Sequence, residues 1–341
     1  MATSLTPKEN YLRIFRGEFP DWIPTSRRLP DTEEPPPVVT LDASCLWGER
    51  KFMQAGKDLW GVEFVGAENI GGATLPKPGQ FILKDIRKWR DVVKAPDTSG
   101  WDWEALIKKD LEGLNVDRSQ SALSLSTFIG FFQQLMGLMG FEEGLCAMYE
   151  EPEAVKEMYD YMCTFYCNAF EKIMEIAKPD LFGLTDDTAA ERAPFISREM
   201  YKEFLIPLYD RFAKLARDRD ILITMHNCGK AEIFFDDLVK IGVVGWNPAQ
   251  LSNDILAVQA KFGRHLSISG AWEGRGRLLE DDVTDDEIRA SVRKSMDTYG
   301  KNGGYIFGGG FSGAVGDQKL AHKNEVLTKE ALEYGRSFYK K

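Results

Sequence analysis

Residues 221–229 read "ILITMHNCG", an apolar run that stops at a histidine, an asparagine, a cysteine and a glycine. A short run of this kind, rich in β-branched residues and bounded by a turn residue, is typical of a buried strand in a parallel sheet. Five other runs share this character: "SALSLSTF" (121–128), "DLFGLTDD" (180–187), "GVVGWNP" (242–248), "HLSISGAW" (265–272) and "GYIFGGGF" (304–311).

The segments between these runs have helical spacing. Acidic residues stand at or close to the start of segments 150–177 and 284–300, as is typical of the first turn of a helix. Segment 197–218 begins with Ser197, a residue type favoured just before the first turn of a helix. Strands that alternate with helices indicate a parallel sheet. With weaker strand candidates at "DWIPTS" (21–26) and "GVEFVGA" (61–67), we predict an α/β fold of the (β/α)8 TIM-barrel type. A doubly wound sheet is the structural alternative.

The N-terminal part interrupts the regular pattern. It contains the proline-rich "LPDTEEPPPVV" (29–39) and an aromatic, glycine-bearing segment at 57–79. We interpret the chain as a single domain in which residues 1–80 form an N-terminal segment with a long loop and cap, and residues 81–341 form the main barrel. Aromatic residues of the cap, Trp47, Trp60 and Phe64, either stack on a substrate or pack in the protein.

Composition excludes several classes of partner. The formal net charge of −10 over 341 residues argues against nonspecific binding to nucleic acid or to an anionic membrane. No apolar run approaches the ~20 residues that span a bilayer, and the N-terminus lacks the apolar segment of a secretory signal. We therefore expect a cytoplasmic protein. The five cysteines argue against a disulfide framework.

Polar residues collect where the predicted strands end, and in a parallel α/β fold those ends meet at one mouth. His226 and Cys228 are good zinc ligands, and Gly229 allows the chain to bend so that both face one point. From the pattern alone, a metal site, direct acid–base or substrate contact, and a packed pair all stay open. The other candidates are Thr127, Asp186, Asp187, Asn227, Asn247, Trp272, Glu273 and the glycines Gly308, Gly309 and Gly310.

Two of these groups suggest specific chemistry. Asp186 and Asp187 are adjacent carboxylates that either cap a helix or, in a partly dry mouth, act as proton donor and acceptor. The stretch "GGGFSG" (308–313) fits a G-x-G-x-x-G pattern. Too little chain follows for a dinucleotide-binding unit, so we expect these glycines to allow close backbone approach to a bound ligand or cofactor.

Taken together, the motifs resemble the uroporphyrinogen decarboxylase superfamily over nearly the whole chain. The resemblance rests on "RIFRGEFPDWIP" (13–24), "TDDTAAERAPFISREMYKEFLIPLYDRF" (185–212), "MHNCGKAEIFFDDLVKIGVVGWNP" (225–248) and "GGYIFGGG" (303–310), which follow the family's order. It implies a TIM barrel with its site at the carboxyl ends of the strands. The decarboxylases of this superfamily carry an arginine-rich "R-Q-A-G-R", for which this chain has only "SRRLPD" (26–31).

The methyltransferase branch of the superfamily is the better match. It implies zinc held by His226 and Cys228 of the "H-x-C" motif, with a third ligand that is a cysteine in the family. Phe311 stands at that position, so the resemblance requires Glu273, Asp186 or Asp187 to complete the metal site. Phe311 would then form an apolar wall against the substrate.

These residues lead to one expected function. We expect a methyltransferase that moves a methyl group between a small methylated substrate, first of all a methoxylated aromatic, and the cobalt of a corrinoid (cobalamin) carried by a separate partner protein. Catalysis is expected from Asp186, Asp187, Asn227 and Glu273, and substrate contacts from Thr127, Asn247, Trp272 and Phe311. The alternatives are a uroporphyrinogen-type decarboxylase and a methylcobamide:thiol methyltransferase that uses coenzyme M.

Overall fold

A computed structural model describes residues 5–29, 32, 34–51, 54–66, 73–126, 130–314 and 316–340. Within these residues the strands are β1 (Val38–Asp42), β2 (Gly56–Lys57), β3 (Glu63–Gly66), β4 (Thr74–Pro76), β5 (Ala122–Ser126), β6 (Leu181–Thr185), β7 (Leu222–His226), β8 (Val243–Ala249), β9 (Ser267–Gly270) and β10 (Tyr305–Phe307). The helices are α1 (Pro7–Phe15), α2 (Trp89–Val92), α3 (Trp103–Leu114), α4 (Phe131–Met139), α5 (Phe141–Glu150), α6 (Pro152–Ala177), α7 (Arg198–Phe204), α8 (Ile206–Arg217), α9 (Phe235–Lys240), α10 (Ile255–Phe262), α11 (Asp285–Tyr299) and α12 (Gln318–Ser337).

The main sheet is parallel and follows the chain from one neighbour to the next. Its seven strands lie in the order β1–β5–β6–β7–β8–β9–β10. Beyond β10, Thr25 forms a parallel bridge with Phe307, and the Phe307 N–H donates to the Pro24 carbonyl at 3.0 Å. The predicted "DWIPTS" segment thus continues the sheet past its last strand. The α/β fold of TIM-barrel type is confirmed.

All six strands predicted from apolar runs are present, and the long helix predicted at 150–177 is α6. The last two residues of the 121–128 run lie outside the described residues. Residues 197–218 form two helices instead of one, because Pro207 lacks the N–H that a continuous helix needs. Ser197 caps α7 as expected, accepting the Met200 N–H at 3.2 Å.

The N-terminal part contributes more to the sheet than the sequence indicated. Val38 and Val39, assigned to the proline-rich loop, begin β1, which pairs with β5. The "GVEFVGA" candidate is not a barrel strand, because it forms β3 of a separate antiparallel sheet with β2 and β4. Strand β1 is buried along only part of its length, which weakens its apolar signal in the sequence.

Aromatic residues of the cap pack inside the protein. Trp60 is 3% exposed, and its Nε1 donates to the Tyr166 hydroxyl of α6 at 2.7 Å. Trp47 is also buried, and the Phe64 ring lies against the Arg50 guanidinium. The packing interpretation therefore accounts for Trp47 and Trp60. No helix in the described part of the chain has the length and apolar character needed to cross a membrane.

Helix α1 fills the end of the barrel where the strands begin. Its residues Leu12, Ile14 and Phe15 are buried in one apolar cluster with Ala122, Leu181 and Ile306, which belong to β5, β6 and β10. These apolar side chains close the end of the barrel where the strands begin, called here the floor. The polar ends of the strands are consequently left at the opposite, open end.

We predict that Phe15→Ala lowers the free energy of unfolding by about 3–5 kcal/mol, because it opens a cavity in this floor. Phe15 is 5% exposed, whereas Tyr149 is 83% exposed. Tyr149→Ala is therefore the control and should change stability by less than about 0.5 kcal/mol. Urea unfolding of both variants measures the difference. Equal effects would mean that α1 does not support the barrel.

Candidate metal centre

Three neighbouring strands bring the predicted metal ligands to the barrel mouth. In the register of β6, β7 and β8, Thr185 pairs with His226 and His226 pairs with Asn247. The Asp186 N–H extends this ladder by donating to the His226 carbonyl at 3.0 Å. Residues that follow the three strands are therefore held side by side.

Asp187, His226 and Cys228 form a cluster, called here the triad. His226 Nε2 lies 3.5 Å from Cys228 Sγ and 3.7 Å from Asp187 Oδ1. One potential ligand atom from each residue falls within 4.8 Å of the other two. Of the three carboxylates considered from the sequence, Asp187 is the one that the structure places with His226 and Cys228.

Hydrogen bonds with Asn247 and within the triad fix the orientation of its side chains. His226 Nδ1 lies 2.8 Å from Asn247 Oδ1, so Nδ1–H donates to the amide and the Nε2 lone pair faces Asp187 and Cys228. The Cys228 N–H donates to Asp187 Oδ1 at 2.8 Å. A histidine whose second nitrogen is fixed in this way is the usual arrangement at protein metal sites.

Gly229 makes the turn after Cys228 possible. Its φ is +79°, in the left-handed region. A Cβ at this position would lie 2.2 Å from the Ala189 carbonyl oxygen, which belongs to the loop after β6. The glycine predicted to allow a bend therefore does so, and it also lets the two loops that carry the triad approach each other.

The charges of the triad suit a cation. Burial, with the nearby Asp187 carboxylate, raises the pKa of the Cys228 thiol above its ordinary value. A positive ion would relieve the repulsion between thiolate and carboxylate, and zinc accepts nitrogen, sulfur and oxygen ligands together. The triad thus fits zinc with three protein ligands. The Cys228 thiol is partly exposed and lies close to a carboxylate and an imidazole.

A cavity of about 510 Å³ opens beside the triad, within the usual size of a small-molecule site. Asn247, which holds His226, is one of its lining residues. Several other predicted residues line it as well: Trp272, Glu273, Gly308, Gly309 and Gly310. Asn247 therefore connects the triad with the cavity.

Other predicted residues are held by protein contacts. Glu273 accepts the Leu251 N–H at 2.7 Å and pairs with Arg275, so both carboxylate oxygens are engaged. Phe311 is buried, with its ring 5.2 Å from that of Trp272, and is not one of the described residues that line the cavity. Gly309 approaches Trp272 closely, since a Cβ there would lie 2.6 Å from its carbonyl oxygen. Thr127 lies outside the described residues.

Asp186 and Asn227 face away from the triad. The Asp186 carboxylate is fully buried and accepts the Phe132 N–H at 2.8 Å, the Gln133 N–H at 3.1 Å and the Tyr209 hydroxyl at 2.7 Å. It thereby anchors the first turn of α4. The Asn227 side chain is buried too and bonds to Thr188. Their catalytic roles stay predictions, and the contacts seen here are those of residues that fix loops.

Arg27, in the "SRRLPD" segment, has a structural role. Its guanidinium donates to the Gly309 carbonyl at 2.6 Å, to Asn324 Oδ1 at 2.9 Å and to Thr328 Oγ1 at 2.8 Å. These bonds hold the loop of Gly308, Gly309 and Gly310, called here the glycine loop, onto α12. The same Asn324 also binds both backbone groups of Phe311.

Sequence reasoning missed three residues at the mouth. Arg275 lines the cavity and pairs with Glu273 and Glu191. Gln133 bonds to Asp187 Oδ2 at 3.4 Å, from a helix that no motif marks. Asp42 ends β1, and burial with nearby Asp110 raises its pKa to about 6. Recognising β1 as a strand would have pointed to Asp42, whereas nothing in the sequence marks the other two.

A pH-dependent stability follows from Asp186. Burial raises its pKa from 3.8 to about 7, although its three hydrogen bonds oppose the shift. As pH rises, the unfolded chain releases this proton before the folded one does. The contribution of Asp186 to the free energy of unfolding should therefore fall between about pH 4 and pH 7, by on the order of 2–4 kcal/mol.

Urea unfolding of wild type and Asp186→Asn across this range tests the assignment. The variant cannot titrate at this position, so the stability advantage of the wild type should shrink as pH rises. Asp42 titrates in both proteins and cancels in the difference. A difference that stays constant or grows with pH would show that Asp186 does not hold its proton in the fold.

Comparison of the sequence with known protein families identifies the family of this chain. A sequence profile of the uroporphyrinogen decarboxylase (URO-D) family matches residues 126–318. No curated protein matches the sequence. A methyltransferase from Methanosarcina mazei superposes with a TM-score of 0.66 at 14% identity, over 97% of this chain and 99% of that chain. This likeness shows a shared fold.

Other solved barrels superpose poorly. D-allulose 3-epimerase from Methylomonas sp. gives a TM-score of 0.29 at 13% identity, over 70% of this chain and 82% of that chain. A sugar phosphate isomerase/epimerase from Parabacteroides distasonis gives 0.33 at 12% identity, over 72% and 82%. Neither bears on the site. The family profile covers more than half of the chain and includes β6 to β10, with the whole triad. The chain belongs to the uroporphyrinogen decarboxylase family.

Proposed function

We propose that this protein is a methyltransferase that moves a methyl group between a small methylated substrate and the cobalt of a corrinoid carried by a separate protein. A methoxylated aromatic compound is the first candidate for the substrate. The observation that carries the proposal is the triad of Asp187, His226 and Cys228, whose His226 is held by Asn247, a residue that lines a cavity of about 510 Å³. The fold shared with a methyltransferase from Methanosarcina mazei supports it.

Zinc is the proposed ion, with His226 Nε2, Cys228 Sγ and Asp187 Oδ1 as its protein ligands. When bound, zinc supplies Lewis acidity that stabilises the basic oxygen left behind when a methyl ether is cleaved. Three protein ligands would leave one coordination position free. One thiolate beside a carboxylate and an imidazole makes a harder acid than several thiolates, and a harder acid favours oxygen over sulfur.

The residues of this chain have distinct tasks in this proposal. Asn247 keeps the His226 ring oriented and forms part of the cavity wall. Trp272 and the glycine loop give the cavity apolar and backbone surfaces that position a flat substrate. Asp187 supplies the oxygen ligand, and its contact with the Cys228 N–H holds Oδ1 beside His226 Nε2. The corrinoid is brought by the partner.

The alternatives have less support. A uroporphyrinogen-type decarboxylase needs cationic side chains to grip the substrate's carboxylates, whereas Arg27 is committed to Gly309, Asn324 and Thr328. A thiol methyltransferase of the coenzyme M type needs a sulfur-rich zinc site. The described residues offer a single thiolate in the triad.

We predict about one zinc per chain in purified protein, and loss of that zinc in His226→Ala, Cys228→Ala and Asp187→Ala. Each change removes a ligand atom of the triad. Cys146→Ala is the control, because Cys146 is an exposed free cysteine on α5. Elemental analysis of the folded variants gives the answer. Stoichiometric zinc that survives loss of both His226 and Cys228 would place the metal elsewhere.

We also predict cobalt methylation when the protein is mixed with reduced corrinoid protein and methoxylated aromatics, followed in the cobalt absorption spectrum. Asn247→Ala should slow it by roughly 10- to 100-fold, because the His226 ring loses its fixed orientation. Methylated corrinoid protein with coenzyme M, and uroporphyrinogen alone, are the matched assays for the alternatives. Thiol methylation without cobalt methylation from any methoxy donor, or release of coproporphyrinogen, contradicts the proposal.

A further inference from the structure

The two oxygens of Asp187 have different surroundings. Oδ1 accepts the Cys228 N–H at 2.8 Å and lies 3.7 Å from His226 Nε2, so it faces the triad. Oδ2 accepts a long hydrogen bond of 3.4 Å from Gln133 Nε2. One oxygen of the Asp187 carboxylate therefore faces the other two triad residues, and the second oxygen faces α4.

Gln133 reaches Asp187 because the start of α4 is fixed. The Phe132 N–H donates to Asp186 Oδ2 at 2.8 Å, and the Gln133 N–H donates to Asp186 Oδ1 at 3.1 Å. The Tyr209 hydroxyl also donates to Asp186 Oδ2, at 2.7 Å, which holds this carboxylate against α8. Asp186 thus sets the backbone of Gln133, while the next residue along the chain, Asp187, receives its side chain.

This arrangement bears on how many oxygens a metal ion can take from Asp187. A carboxylate binds an ion through one oxygen or through both. A zinc site that performs catalysis keeps a position free beside its three protein ligands. A donor that engages Oδ2 competes with the ion for that oxygen. Without such a donor, the second oxygen can turn to the ion and fill the free position.

We propose that Gln133 is a positioning residue that limits Asp187 to one-oxygen coordination through Oδ1 and so keeps the fourth position of the metal centre open for substrate. This inference rests on the proposed metal site. It assigns the amide of Gln133 a role that neither the family profile nor the sequence motifs indicate, because residue 133 lies on α4, outside the strand ends.

The chain offers a matched control in the adjacent glutamine. Gln134 lies on the same turn of α4, but its Nε2 donates to Asp58 Oδ2 at 2.8 Å, away from the triad. Methionine has nearly the shape of glutamine and a similar helix propensity, so Gln133→Met and Gln134→Met remove one amide each with little change in volume. Gln133→Lys removes the amide but keeps an N–H donor.

The experiment loads wild type and the three variants with Co²⁺ in place of zinc and records the visible absorption per bound ion. Chelator competition gives the zinc affinity in parallel. In Gln133→Met the d–d bands should shift and change in intensity, because the second Asp187 oxygen takes the fourth position in place of solvent, and zinc affinity should change by roughly 10-fold or more. Gln134→Met and Gln133→Lys should keep the wild-type band pattern.

The outcomes separate this inference from the metal site itself. If wild type binds the ion and Gln133→Met gives the same spectrum and affinity as Gln134→Met, Gln133 does not position Asp187, and the inference is wrong while the metal site stands. If wild type binds no ion at the triad, the proposed function fails and this inference fails with it. If Gln133→Met does not fold, Gln133→Leu, which also lacks the amide donor, is the test, and wild-type bands with wild-type zinc affinity in that variant overturn the inference.

Discussion

The alignment of β6 with β7 is the constraint on which the site depends. Thr185 lies opposite His226, and the Asp186 N–H bonds to the His226 carbonyl one step further on. Side chains alternate along a strand, so a slip of one residue would turn His226 toward the surrounding helices and remove it from the mouth. Asp187 and Cys228, which follow the two strands, meet only because this register is kept.

The adjacent acids Asp186 and Asp187 at the end of β6 differ in burial and in contacts. Asp186 is buried and gives its oxygens to α4 and Tyr209, whereas Asp187 is partly exposed and faces His226. Burying a carboxylate at this place costs desolvation free energy, and the same burial raises the pKa of Asp186. The compensation is a fixed start of α4, which would otherwise leave its first N–H groups without partners. A buried carboxylate and a partly exposed one thus lie one residue apart and face opposite sides of the strand end.

Much of the fold and part of the site followed from the sequence. Six buried strands could be predicted because each is a short apolar run ended by polar or glycine residues. His226 and Cys228 could be predicted as candidate site residues because they lie where one of these runs ends. The sequence could not tell Asp186 from Asp187, since burial and direction depend on α4 and α8 packing from elsewhere in the chain. It also missed β1, which is only partly buried, and the use of Arg27 to hold the glycine loop, which joins residues 282 positions apart.

Helix α1 seals the floor of the barrel with Leu12, Ile14 and Phe15. Anything that reaches the triad must therefore come through the mouth, where Asn247 and the cavity lie. The small substrate and the corrinoid protein of the proposed function both approach the triad through this mouth, and the bound protein blocks the passage of the small molecule. Under the proposed function, the kinetics should be ordered: the small substrate enters before the corrinoid protein arrives, and its demethylated remnant leaves only after that protein has gone.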